Sequence, residues 1–323
     1  MKQRIGLAAL CLLVMVITSG CVTQSQNPLA IHATTAVPGQ AIAIHPATAG
    51  EQSSGQISVT LYFRYLDTNM LAPENRLLNV RRDESPEMAI VRALAEGPSA
   101  GRGELKRLIP ASAVVESVIV RDDLLFVTFN DQFTQDDIPA DWAAQPAWQS
   151  EAPLRRMLTV QSIVATLTEW RSFTGVQILV HRPNEVQTNL RLEKQYFLTE
   201  EIGVNDPFAR DESYLLTAHN TAQQIMNAWK IHDLDRVFQY TSADTMPSLE
   251  SMTDALKDSS VVVSYEISPG TASADGQTAT ITLDLQTMRG GTPNTTNAYP
   301  LRLHRENGIW KIDFDALLAL MRL

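Results

Sequence analysis

Apolar and polar residues alternate along 57–66, where Val59, Leu61 and Phe63 share one side and Ser58, Thr60, Tyr62 and Arg64 the other, which predicts a half-buried strand. A turn at Asp67-Thr68-Asn69 and a connection at Leu71-Ala72-Pro73-Glu74 lead to a second strand over 76–82, with Leu78 and Val80 on one face. The period then changes. Ser85 can cap a helix whose first position is Pro86, Ala89, Ile90, Ala93 and Leu94 repeat on one face, and Gly97-Pro98 ends it. Beyond a loop that carries Arg102, Lys106 and Arg107, apolar runs at 114–120 and 124–129 flank Arg121-Asp122-Asp123 and predict a hairpin. An irregular stretch over 135–153 holds Trp142 and Trp148. From Pro153 to Ser172 a long helix follows. Leu154, Met157, Leu158, Gln161, Val164, Ala165 and Thr168 fall on one face, and Ile163, Leu167 and Trp170 widen the stripe enough to predict burial. Strands are expected at 175–181 and 189–196.

A polar stretch over 199–211 reads as a linker, after which the order of periods reverses. Leu215, Ala218, Ala222, Ile225, Met226 and Trp229 mark an amphipathic helix over 212–230, short helices follow at 233–240 and 248–257, and four strand-like runs come last, at 259–267, 277–288, 297–306 and 309–314. Asn307-Gly308 signals a tight hairpin between the last two, and Gly290-Gly291 a loop. The fold class is α+β with two domains. Residues 57–198 predict a mixed sheet with two packed helices, and 212–323 a cone of helices and a curved antiparallel sheet.

The N-terminus is of another kind. Lys2 and Arg4 precede an apolar run from Ile5 to Ile17, and Thr18-Ser19-Gly20 stands before Cys21, so 1–20 reads as a secretory signal. The Thr-Ser-Gly-Cys end resembles a bacterial lipobox, in which the cysteine becomes the acylated first residue; a plain signal peptide cleaved nearby, or an uncleaved anchor, is the competing reading. Residues 21–56 have Glu51 as their only charged side chain and read as a flexible tether, with an end-to-end distance of roughly 30 to 35 Å. The expected location is the extracytoplasmic face of the cell membrane, lipid-anchored at Cys21.

Composition narrows the possibilities further. Cys11 and Cys21 are the only two cysteines, which excludes a disulfide framework from the folded part. Removing 1–20 takes two of the 26 basic residues and none of the 36 acidic ones, leaving a formal charge of −12. Such a surface repels nucleic acid. His219 lies beside an apolar stripe, Asp233 after His232 suits a helix cap, and His32, His45, His181 and His304 are isolated, so neither a metal site nor a cofactor is expected. There is no Gly-x-Ser-x-Gly, no phosphate-cradling glycine loop and no dinucleotide fingerprint. Tyr240, Asp244, Asp284 and His304 could meet inside the cone and act as a base with a tyrosine partner, though a core built on Trp229 and Trp310 is the plainer expectation. Arg102, Lys106 and Arg107 form a candidate contact loop in an otherwise acidic protein. A solvated loop would show the same pattern. Overall, an enzyme is not expected.

The order of Leu71 to Glu74, Ala93 to Pro98, Ile109-Pro110, the hairpin Val118 to Phe129 with Phe133, and Ile163 to Thr168 before Gly175 to Val180 closely resembles the GerMN domain of sporulation and germination lipoproteins and related envelope lipoproteins. Residues 212–323 resemble the nuclear-transport-factor-like or cystatin-like cone. These resemblances imply a binding or assembly module of the cell envelope. Its expected partners are the membrane through Cys21, envelope proteins or a second copy, and a wall polymer. The alternative is a small-ligand binder or enzyme that uses a pocket of the cone.

Overall fold

The computed structural model describes residues 55–136, 144–183, 189–257 and 259–323. Cys21, the signal segment and the tether up to Ser54 lie outside the described residues, as does Trp142.

The first half is built on β1 (Gln56–Tyr65), which pairs antiparallel with β2 (Leu71–Asn79) from Gln56↔Asn79 to Arg64↔Leu71. β2 therefore takes in the Leu71–Glu74 stretch that reads as a connection in the sequence. Helix α1 (Pro86–Glu96) follows as its signals predict: the Ser85 side chain accepts from the Met88 N–H, and Gly97 stops the helix at φ 95°. Then β3 (Leu105–Lys106) adds to the far side of β1, giving the order β2-β1-β3. Pro73 is accommodated because β2 is an edge strand, where a missing N–H matters least.

A second sheet stands beside it. β4 (Val115–Arg121) and β5 (Leu124–Asn130) form the expected hairpin, with Asp122 in the left-handed region at φ 56°. The chain then crosses through α2 (Pro146–Trp170) to β6 (Gly175–His181), parallel to β5, and β7 (Asn189–Arg191) closes the order β4-β5-β6-β7. Helix α2 starts before Pro153, not at it. Pro153 leaves the Gln149 carbonyl without its helical donor, and Gln149 is exposed, so water can take that place. The run 158–167 is buried throughout, as expected of a central helix.

Segment 199–211 lies along this half: Phe208 and Val176 exchange backbone hydrogen bonds, both 2.9 Å. The second half opens with α3 (Ala218–Lys230), α4 (Leu234–Gln239), capped by Asp233, and α5 (Leu249–Leu256). β8 (Val261–Ile267), β9 (Thr271–Ala272), β10 (Thr278–Arg289), β11 (Thr292–Glu306) and β12 (Ile309–Lys311) form an antiparallel sheet ordered β12-β11-β10-β8, with β9 also on β10. Both tight turns use positive φ, at Gly290 (56°) and Gly291 (81°), and at Asn307 (52°) and Gly308 (87°). Between the pairs Leu283↔Tyr299 and Leu285↔Thr296 β11 carries one extra residue, a bulge at Ala298 (φ 53°) whose N–H donates to Asp284 at 2.7 Å, and this bends β11 and curls the sheet. A final helix, α6 (Phe314–Met321), buries Phe314, Leu317, Leu320 and Met321. At eight residues and almost wholly apolar, it has too little periodicity to be read from sequence.

Most of the buried apolar residues of both halves form one continuous cluster, from Val59 to Met321, with a smaller one around Tyr62, Leu71, Leu158 and Leu215, and the described residues fall in a single compact unit.

Candidate functional site

Of the contacts that join the halves, four surround a cleft. The Leu216 N–H donates to the Leu71 carbonyl at 2.8 Å, and the Arg102 Nη2 donates to the Asn307 carbonyl at 2.9 Å. Tyr65 and Lys311 form the third: the Lys311 ammonium donates to the Tyr65 hydroxyl (2.6 Å) and to the Gln239 carbonyl, which also accepts from Tyr65. The Gly308 turn sits against Pro73, where a Cβ on Gly308 would come within 3.3 Å of the Pro73 carbonyl oxygen. Between these contacts an open cleft of about 510 Å³ remains.

One wall of the cleft is the outer face of β1 and β2, with Thr60, Tyr62 and Asn75; another is the start of α3, from Thr217 to His219. The floor comes from the concave sheet, with Ala279, Ile281 and Trp310. Arg210 reaches in from the crossing segment and is fully engaged. Its Nη1 donates to the Ala165 carbonyl at 2.9 Å, its Nη2 lies 3.1 Å from Glu169, and its Nε lies 2.6 Å from Glu212. Burial alone would lower its pKa, but Tyr62, Glu212 and Glu169 outweigh that and hold it above the usual arginine value. Tyr62 lies under this guanidinium, and burial together with Glu169 pushes its hydroxyl up to about 12.

Arg305 is the opposite case. On β11 the alternation Leu301, Leu303, Arg305 places it on the inward face, and the Asn307-Gly308 turn sets it across from Trp310, whose ring its guanidinium covers at 4.6 Å. Its Nε is buried without a hydrogen-bond partner among the described residues, and no ion pair joins it to an acid there. Burial lowers its pKa, against the upward pull of Tyr62 and Glu169. Sequence reasoning passes over this residue. The signal is an arginine in the third inward place after two leucines.

The contact-loop residues are placed differently from a free basic patch. Arg102 pairs with Glu104 at 2.5 Å besides reaching Asn307, and Lys106 pairs with Asp67 at 2.6 Å from β3. Arg107 is exposed, and its stem lies against Gly97. Nor do Tyr240, Asp244, Asp284 and His304 meet. Tyr240 is buried against Tyr65, with ring centroids 5.8 Å apart; Asp244 is exposed; Asp284 serves the bulge; and His304 lies 3.0 Å from Glu306. His219 does line the cleft, in the first turn of α3. Among the described residues no group of three or more His, Cys, Asp or Glu converges as metal ligands, and no helix is long and apolar enough to cross a membrane.

The family model described as Germane, sporulation and spore germination, matches residues 60–181, from β1 to the end of β6. The first half thus carries a GerMN-type match and the general context of sporulation and germination proteins. Among solved structures, the tandem GerMN domains of the sporulation protein GerM from Bacillus subtilis align at 16% identity and TM-score 0.31, over 51% of this chain and 49% of that one. The chain therefore spans about half the length of that structure. A protein of Clostridium perfringens provisionally named a lipoprotein aligns at 22% identity and TM-score 0.27, over 51% of this chain and 95% of its own. The first GerMN domain of GerM alone gives 16% identity and TM-score 0.23, over 41% and 97%. No curated protein matches the chain.

Proposed function

We propose that this protein is a lipid-anchored, non-catalytic binding and assembly module of the cell envelope that works in sporulation or germination. The observation that carries it is the Germane match over 60–181, on a folded body whose sequence begins with a lipobox-like Thr-Ser-Gly-Cys and a charge-poor tether. On this reading Cys21 is acylated, and residues 22–56 hold the body roughly 30 Å from the outer face of the membrane. Envelope proteins or a second copy dock on its surface, and the second half is a nuclear-transport-factor-like or cystatin-like cone. The test is fractionation and cross-linking in cells. Wild-type chain should label with palmitate, pellet with membranes and cross-link to a reproducible partner, whereas Cys21→Ser should be unlabelled and released. Membrane retention of an unlabelled Cys21→Ser chain would reject the anchor.

A second reading, a small-ligand binder, is favoured by the cleft at Arg305. Its pocket would lie between the halves, with walls from β1, β2 and α3, rather than wholly inside the cone.

A further inference from the structure

The Arg305 guanidinium faces a cleft of about 510 Å³, within the range of small-molecule sites, and has no hydrogen-bonding or ion-paired partner among the described residues. A half-buried cation of this kind is under-satisfied, because burial removes water that no protein acceptor replaces. The guanidinium carbon stands over the Trp310 ring at 4.6 Å, which holds the fork in place, so what the site lacks is an acceptor that presents two oxygens to it. The first turn of α3 lines the same cleft and adds the positive end of a helix dipole. Arg210, the other cation of the cleft, is saturated by Glu169, Glu212 and the Ala165 carbonyl, and so cannot share the load.

We infer that this cleft binds a small polar molecule through a single carboxylate forked onto the Arg305 guanidinium. The charge is one, not two. Arg305 can answer one negative charge, and Arg210 is already taken by Glu169 and Glu212 in the same cleft, so a dianion such as a phosphate monoester brings a second charge that no unpaired guanidinium there balances. Thr217, His219 and Asn75 on the walls offer hydrogen bonds to the remaining polar groups of the ligand, while Ala279 and Ile281 give an apolar floor. Such a carboxylate can end a short peptide or belong to an acidic sugar. This inference deepens the second reading above and is independent of the anchor, since Cys21→Ser leaves the cleft intact.

The test uses the full chain in detergent and follows the fluorescence change of Trp310, identified by its loss in Trp310→Phe, with calorimetry beside it. The probes are N-acetyl-alanyl-alanine and glucuronate, the amide of each, and inorganic phosphate. The expected result is saturable binding of one free acid, at least about ten-fold weaker for its amide. The same loss should follow Arg305→Gln, a smaller one Arg305→Lys, which cannot fork, and none the outward Arg302→Gln on the same strand. Which acid binds decides between peptide and sugar. Equal binding of acid and amide by the wild-type chain, which needs no variant, would overturn the inference. So would phosphate binding tighter than either acid, no binding of any probe, or undiminished binding by folded Arg305→Gln.

Discussion

Lys311 shows what a single residue contributes at the junction of the halves. Its ammonium is buried against Tyr65 and the Gln239 carbonyl, with Glu306 and Glu104 the acids that act on it and Tyr240 beyond Tyr65, and burial lowers its pKa from 10.5 to about 8. Between pH 8 and 10 the unfolded chain keeps a proton that the folded chain has lost. Stability should therefore rise with pH across that window, by about 2 kcal/mol after allowance for partial exposure. Above about pH 10 the trend reverses, because Tyr62 and Tyr240, both raised to about 12 by burial, hold protons that the unfolded chain releases. Denaturant unfolding of wild type and Lys311→Met should show the rise in the first and a flat response in the second; parallel curves would remove Lys311 from the account. Neither Lys311 nor Arg305 was legible as special in the sequence. Each stands in an ordinary strand pattern, and what changes its chemistry is burial by segments far along the chain: Tyr65 and Gln239 cover Lys311, and the walls of the cleft close over Arg305.

At the scale of the element, α2 does for β1 what a neighbouring strand would do. Tyr62 faces Pro73 as a non-hydrogen-bonded pair, and its own backbone groups point the other way, to α2. The Tyr62 N–H donates to Thr166 Oγ1 at 3.0 Å, and its carbonyl accepts from Ser162 Oγ at 2.5 Å. Ser162→Ala and Thr166→Val should each destabilise the chain by about 1–3 kcal/mol, since each leaves a buried backbone group unsatisfied; Thr168→Val, at a half-buried position whose hydroxyl donates within its own helix and accepts only a long 3.5 Å contact from Arg210, should be milder. Guanidinium chloride titration would order the three. Elements with local signals were readable: α1 from Ser85, Pro86 and Gly97, the β4–β5 hairpin from Asp122-Asp123, the last hairpin from Asn307-Gly308. The polar residues of α2 were not. On a helical wheel Ser162 and Thr166 look like breaks in the apolar stripe, and only the sheet edge beside them explains their burial.

For the whole molecule, the shared core and the contacts Leu216–Leu71, Tyr65–Lys311 and Arg102–Asn307 pack the two halves into one body. Denaturation followed by far-ultraviolet circular dichroism and by tryptophan fluorescence should give one coincident transition; two separated transitions would show that the halves unfold on their own. The order of elements was visible along the chain, and with it the α+β class. The cleft was not, because its walls come from β1, the crossing segment, α3 and the β11–β12 hairpin, and no local pattern announces their meeting. The tip of that hairpin carries a further consequence. Gly308 stands close against the Pro73 carbonyl, where a methyl group would come within 3.3 Å and the neighbour would have to give by a few tenths of an ångström, so the turn sets a spacing. The aperture of the cleft is a length set by one absent carbon. A single added methyl would strain the turn at its φ of 87° and press this gauge outward by a few tenths of an ångström.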